Sequence, residues 1–278
     1  MPDIPSSQPI ENAGDSGISP AKLEIVDFAS RVFRNTRKLR IWLPPGYANT
    51  ESAKRLYPVF YLNDGQNLFD PATSFTHVAW QVGETAEVLI REDKIPALIV
   101  VGMDNAQNER IREYVPYRSF RPPLFRPLGG RYSEFLDEVM ALVAMRYRVA
   151  QGPANTGLGG SSLGGLIALY TAFERPGLIG KLLAESPSLF FAKRRFLRQS
   201  RHFREWPERV YLGIGTAESG QPEKDRQFVA DLIELESGMV RAGLDDRRLR
   251  VWVEDGAGHN EGSWARRFPE ALAFLFGR

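Results

Sequence analysis

The chain of 278 residues carries 36 basic and 34 acidic side chains, a formal charge of +2 and 43% hydrophobic residues, with no cysteine. Charges this balanced and interspersed exclude the broad basic field of a general nucleic-acid binder, and the lack of cysteine excludes thiolate chemistry and a disulfide framework. A chain of this length and apolar content can bury a sizeable core, and the partner expected of it is a small molecule or a local surface.

The opening "MPDIPSSQPIENAGDSGISP" has neither the basic nor the apolar segment of a signal peptide, and no apolar run is long enough to span a bilayer. No membrane span and a cytoplasmic location are expected. Residues 1–20, with little apolar surface to offset the entropy of ordering, read as a flexible tail, and 21–278 as a single domain.

"KLEIVDFAS" and "TRKLRIWLPPGY" read as two neighbouring extended segments, the second stopped by Pro44, Pro45 and Gly46, and predict an antiparallel edge. "YPVFYLNDG" and "IPALIVVGMDN" are nearly continuous apolar runs with a helix-length segment between them, as in a strand-helix-strand unit of a parallel sheet. The segment from Tyr132 places Phe135, Leu136, Val139, Leu142 and Val143 on one helical face, with Ser133 available as its cap. From Leu163 onward helical and strand patterns alternate to the C-terminus. The alternation predicts a mostly parallel sheet with helices on both faces and a ligand site outside the carboxyl ends of the strands.

The glycine-rich stretch "GLGGSSLGG" opens that second half. A phosphate-binding loop needs Lys and then Ser or Thr after its last glycine, but Gly165 and Leu166 stand there. A dinucleotide fingerprint begun at Gly157 and Gly159 needs a glycine where Ser162 stands. The nucleophile elbow G-x-S-x-G does fit Gly160, Ser162 and Gly164, with small residues on either side so that strand and helix can close on the serine. Ser161 fails the same test, because Leu163 occupies its +2 position.

A serine hydroxyl needs a base, usually a histidine oriented by a carboxylate. Of the three histidines, His202 sits in a basic helical stretch and His77 precedes the serine. His259, in a glycine-flanked loop before the last helix, completes the chain order serine, acid, histidine. Glu218, just beyond the strand-like "YLGIGTAE", is the acid of choice; Asp225, Asp255 and Glu254 compete, Asp225 reading as helix surface. For the oxyanion, the backbone N–H of Leu163 follows the nucleophile, and Gln66 follows the Asp64-Gly65 turn of an earlier strand.

The segments "FYLNDGQNLFD", "VGMDNAQNERIREYVPYR", "GGSSLGGLIALY", "ESPSLFF", "GIGTAE" and "GHNEGSWARRFPEALAFLF" together resemble the esterase family of α/β-hydrolases that includes enterochelin esterases, feruloyl esterases, the esterase D group and the mycolyltransferases. The likeness runs from about Lys38 to the C-terminus. It implies the α/β-hydrolase fold and a serine carboxylic-ester hydrolase with no metal or organic cofactor, and it supports Ser162, Glu218, His259 and Gln66. The approach "NTGLGG" is poorer in apolar residues than relatives usually are, and Glu replaces the commoner Asp as acid. Trp80, Arg110 and Tyr114 lie in family-like segments and are candidates for the substrate pocket, with buried packing or a structural ion pair as the competing account.

The connection between Ser186 and Arg209 is too short for a large cap domain, so an open site is expected. Its mixture of aromatics with Arg and Lys suits either an acyl group with an anionic substrate portion or an amphipathic helix with a solvated basic face. Two other functions use the same residues: acyl transfer from the same acyl-enzyme, and ester binding without catalysis. An acidic limb in the rate profile is expected, because His259 must be neutral to accept the serine proton.

Overall fold

The structure is a computed structural model and describes residues 18–277, apart from 121, 122 and 125. Most of the tail expected over residues 1–20 thus lies outside the described residues. Ser19 is already docked, its carbonyl accepting from Gly46 N–H at 2.8 Å and its own N–H donating to Asn49 Oδ1 at 2.9 Å.

Eight strands form one sheet: β1 (Lys22–Ser30), β2 (Asn35–Leu43), β3 (Val59–Asn63), β4 (Ile99–Met103), β7 (Thr156–Ser161), β8 (Lys181–Glu185), β9 (Arg209–Gly215) and β10 (Leu249–Glu254). The short β5 (Ser119–Phe120) and β6 (Pro123–Leu124) pair separately. The spatial order is β1-β2-β4-β3-β7-β8-β9-β10. Only the β1–β2 and β2–β4 pairs are antiparallel in this sheet; the others are parallel, as the runs buried on both faces require.

Helices α1 (Val82–Arg91) and α7 (Glu261–Phe276) cover one face, over Phe60, Leu62, Val100, Leu183 and Tyr211. The opposite face, carrying Val59, Tyr61, Val101, Leu158 and Leu182, is covered by α3 (Tyr132–Arg146), α4 (Leu163–Glu174) and α6 (Pro222–Arg241). Alternate residues of one strand feed the two cores, each full apolar burial contributing roughly 1.5–3 kcal/mol. Helix α2 (Arg110–Tyr114) lies beside α4, and α5 (Phe191–Ser200) beside α6.

Three local expectations change. Ser133 is not the cap of α3: a helical turn at Gly129–Arg131 leads directly into the helix, so Ser133 falls inside its first turn and Arg131 takes the cap position. Asp225 is buried rather than on the helix surface, because it accepts from the N–H and hydroxyl of Ser219 at 2.7 and 2.6 Å. The stretch read as an amphipathic helix after Ser188 begins with a left-handed turn, φ being 48°, 57° and 61° at Ala192, Lys193 and Arg194. Such a conformation costs about 1–2 kcal/mol per residue. It turns Arg194 toward Asp231 and Glu234 of α6.

The strand leading to Ser162 packs well despite its glycines. A methyl on Gly157 would lie 2.8 Å from Phe60 and 2.9 Å from Phe276, and one on Gly159 would lie 2.6 Å from Leu183. The neighbours' side chains fill the space that β7 leaves.

Candidate active site

Strand β7 ends at Ser161 and α4 begins at Leu163, so Ser162 alone makes the turn, at φ 57° and ψ −120°. A non-glycine residue with positive φ is strained and persists only where its surroundings fix it. Here the Ser162 N–H donates to the Glu185 carbonyl at 2.8 Å, and its carbonyl accepts from Ser188 N–H at 3.1 Å and Leu166 N–H at 3.0 Å. The glycines allow the close approach: a methyl on Gly160 would sit 2.8 Å from Asn63 Cβ, and one on Gly164 3.0 Å from the same atom. Asn63 Nδ2 donates to the Gly164 carbonyl at 2.9 Å, tying the end of β3 to the first turn of α4.

Glu218 and His259, on the loops after β9 and β10, meet: Nδ1 of His259 lies 2.5 Å from Glu218 Oε2. The other carboxylate oxygen accepts from Ser186 Oγ and Gly215 N–H, both at 2.7 Å, and Ser186 Oγ in turn accepts from Trp264 Nε1 at 3.0 Å. Burial alone would raise the Glu218 carboxyl, but the bonds from His259, Ser186 and Gly215 outweigh it and hold the group below the ordinary glutamate value. The ionised Glu218 fixes the ring so that Nδ1 carries the proton toward it, which leaves Nε2 as the nitrogen able to accept a hydrogen bond. Asp255 accepts from Thr216 Oγ1 and Glu254 pairs with Arg266 and Arg267, so neither competitor is the partner of His259.

Ser162 and His259 line a common cleft of about 420 Å³, a size suited to a small organic ligand. The Ser162 hydroxyl is 3.2 Å from that of Ser188. Gln66 also lines the cleft, in the helical turn after Asp64. Leu163 is the first residue of α4, and both N–H groups stand where a helical turn supplies no acceptor. Asp64, left-handed at φ 58° and ψ 48°, is gripped by Arg110 Nε and Nη2, each at 2.7 Å, and by Asn105 Nδ2 at 2.7 Å. Burial works against the Arg110 charge, but Asp64 more than offsets it and the guanidinium stays protonated.

Of the three pocket candidates, only Arg110 lines the cleft, and it does so while bound to Asp64. Trp80 is buried against Trp264 and Phe268, and Tyr114 is buried with its ring edge-to-face on Tyr132, where burial pushes its phenol well above the ordinary value. None of the aromatic or basic residues of the Ser186–Arg209 connection lines the cleft. Phe190 packs on Phe228, Phe203 on Phe173 and Trp206, and Arg201 pairs with Glu234. Residues not singled out by sequence complete the site: Ser186 and Ser188 have no pattern that marks them, whereas Glu261, two places after His259, opens α7 just past an Asn260 cap.

Among the described residues no helix is long and apolar enough to cross a membrane, and no group of three or more His, Asp or Glu is arranged to hold a metal ion.

The strand order, the parallel centre and the strained serine between β7 and α4 define an α/β-hydrolase fold. A family model described as "Putative esterase" matches residues 30–275, and the chain belongs to this family of ester hydrolases. It is 24% identical over 248 residues to the uncharacterized protein YbbA of Bacillus subtilis (strain 168), covering 87% of this chain and 93% of that one. It is 26% identical over 291 residues to an iron(III) enterobactin esterase of Dickeya dadantii (strain 3937), spanning 99% of this chain but only 60% of that protein's length. Among solved structures, the enterobactin esterase FES of Shigella flexneri superposes with TM-score 0.66 at 19% identity, over 91% of this chain and 58% of that one. An IroE-like serine hydrolase of Shewanella oneidensis gives TM-score 0.71 at 20% identity, over 92% and 80%.

Proposed function

We propose that the protein is a serine carboxylic-ester hydrolase that works through an acyl-Ser162 intermediate, with His259 as base and Glu218 as the acid that orients it. The observation that carries this reading is the 2.5 Å contact between Glu218 and His259 Nδ1, in a cleft shared with a serine held at positive φ.

His259 Nε2 takes the proton of Ser162 as Oγ attacks the ester carbonyl, and the tetrahedral oxyanion accepts from the N–H groups of Leu163 and Gln66. His259 then gives that proton to the departing alcohol. Water, activated by the same histidine, cleaves the acyl-serine to release the acid. Arg110 and Asn105 act indirectly, keeping Asp64 in the left-handed conformation that presents Gln66.

Incubating the protein with 4-nitrophenyl acetate and butyrate, with and without a fluorophosphonate, tests the reading. The expected result is hydrolysis that stops in step with covalent labelling of Ser162, both absent in Ser162→Ala. Hydrolysis that persists in Ser162→Ala would overturn it.

A further inference from the structure

The charges around the cleft do not cancel. Among the described residues that line it, the guanidinium is that of Arg110, and two of its nitrogens already bond Asp64. The second acid on the wall is Glu261, buried at 4% exposure in the first turn of α7. Its oxygens accept from Asn67 Nδ2 at 3.1 Å and Thr76 Oγ1 at 2.5 Å. These are neutral donors, and the one guanidinium that Glu261 also acts on, Arg110, is shared with Asp64, which leaves two carboxylates against one cation among the described residues of this wall.

The basic stretch after Ser188 does not restore the balance. None of its basic residues lines the cleft, and Arg194 and Arg201 are turned to Asp231 and Glu234 of α6. An anion entering the cleft gives up water and meets the Glu261 carboxylate in a poorly screened setting. At the lip, Phe75 is 86% exposed and offers an aromatic face that accepts flat apolar groups and attracts cations.

We propose that Glu261 makes the cleft selective by charge: it admits esters that are neutral or cationic in the part lying between Phe75 and Glu261, and turns away anionic ones. The proposal rests on Ser162 being the nucleophile, and it makes Glu261 a specificity-determining residue that takes no proton and forms no bond.

The test uses three alkyl fluorophosphonates of equal length, ending in a methyl, a trimethylammonium or a sulfonate group. In each case Ser162 Oγ bonds to phosphorus and fluoride leaves, so the second-order labelling rate reads access to the cleft without knowledge of the natural ester. We expect the sulfonate to label wild-type protein at least tenfold more slowly than the methyl probe. In Glu261→Gln that gap is expected to shrink to threefold or less, and the trimethylammonium probe to lose its standing relative to methyl. Equal wild-type rates for sulfonate and methyl, or a gap unchanged in folded Glu261→Gln, overturn the charge selectivity and leave the serine reading intact. Failure of every probe to label Ser162 overturns the serine reading and this proposal with it. Should Glu261→Gln not fold, the wild-type series decides alone.

Discussion

Glu185 holds Ser162 with its backbone while its own side chain is held by Arg267. The carbonyl accepts the Ser162 N–H at 2.8 Å, and the carboxylate, fully buried, accepts from Arg267 Nε and Nη2 at 2.9 and 2.7 Å. The strained turn at Ser162 is therefore anchored to the buried Glu185–Arg267 contact at the carboxyl end of β8.

Burial pushes the Glu185 carboxyl up to about 7 from 4.5, Arg267 opposing and Glu218 and Glu254 adding to the rise. A carboxyl raised in the fold keeps a proton that the unfolded chain has released, so its contribution is complete below about pH 4.5 and is lost as pH climbs toward about 7. The loss amounts to roughly 3 kcal/mol over that window. Glu185→Gln lacks this slope, and its unfolding free energy relative to wild type should rise between pH 5 and 7.5, measured by urea denaturation. A difference that stays flat across that range would mean that Arg267 keeps Glu185 ionised throughout.

Replacing Glu218 with Gln keeps the shape but removes the charge that orients His259. By analogy with the loss of an orienting aspartate, kcat should drop by roughly two to four orders of magnitude with a smaller change in KM. Steady-state kinetics on a 4-nitrophenyl ester, beside a circular dichroism spectrum matching wild type, checks it. Retention of a tenth or more of wild-type kcat would argue against the assigned acid.

Arg110→Lys preserves charge but not the two-pronged grip on Asp64. The turn bearing Gln66 should loosen, lowering kcat by about tenfold, less than the roughly 10²–10³ that follows outright loss of one oxyanion donor. If Arg110 served chiefly to bind substrate, the loss would fall on KM instead, and that split is the measurement.

Gly160→Ala would place a methyl 2.8 Å from Asn63 Cβ and 2.9 Å from the Gly164 carbonyl carbon. Overpacking of this kind costs typically 1–3 kcal/mol. Thermal unfolding should show that destabilisation, and labelling of Ser162 should slow as well, because strand and helix can no longer close on the elbow. A variant as stable and as readily labelled as wild type would contradict the close-packing account.

The sheet was legible in the sequence because its strands are continuous apolar runs bounded by turn residues, and Ser162 because small residues flank it at fixed positions. Glu218 and His259 were legible by chain order, since each follows a strand that ends at the same edge. Pairings across distant segments were not. Arg110 meeting Asp64, and Glu261 meeting Thr76, depend on how loops after different strands converge, and no local period encodes that. Trp80 and Tyr114 sat in family-like segments, but which way a side chain faces depends on the completed core. Ser133 has the chemistry of a cap, yet the turn at Gly129–Arg131 continues the helix past it.

The glycines of β7 reverse the usual division of labour in a sheet. Phe60, Phe276 and Leu183 crowd over Gly157 and Gly159, so the strand that leads to Ser162 is shaped as a casting is by its mould. Mutational sensitivity should therefore run in opposite directions on the two sides of one contact: additions are damaging on β7, and deletions are damaging on the residues that cover it.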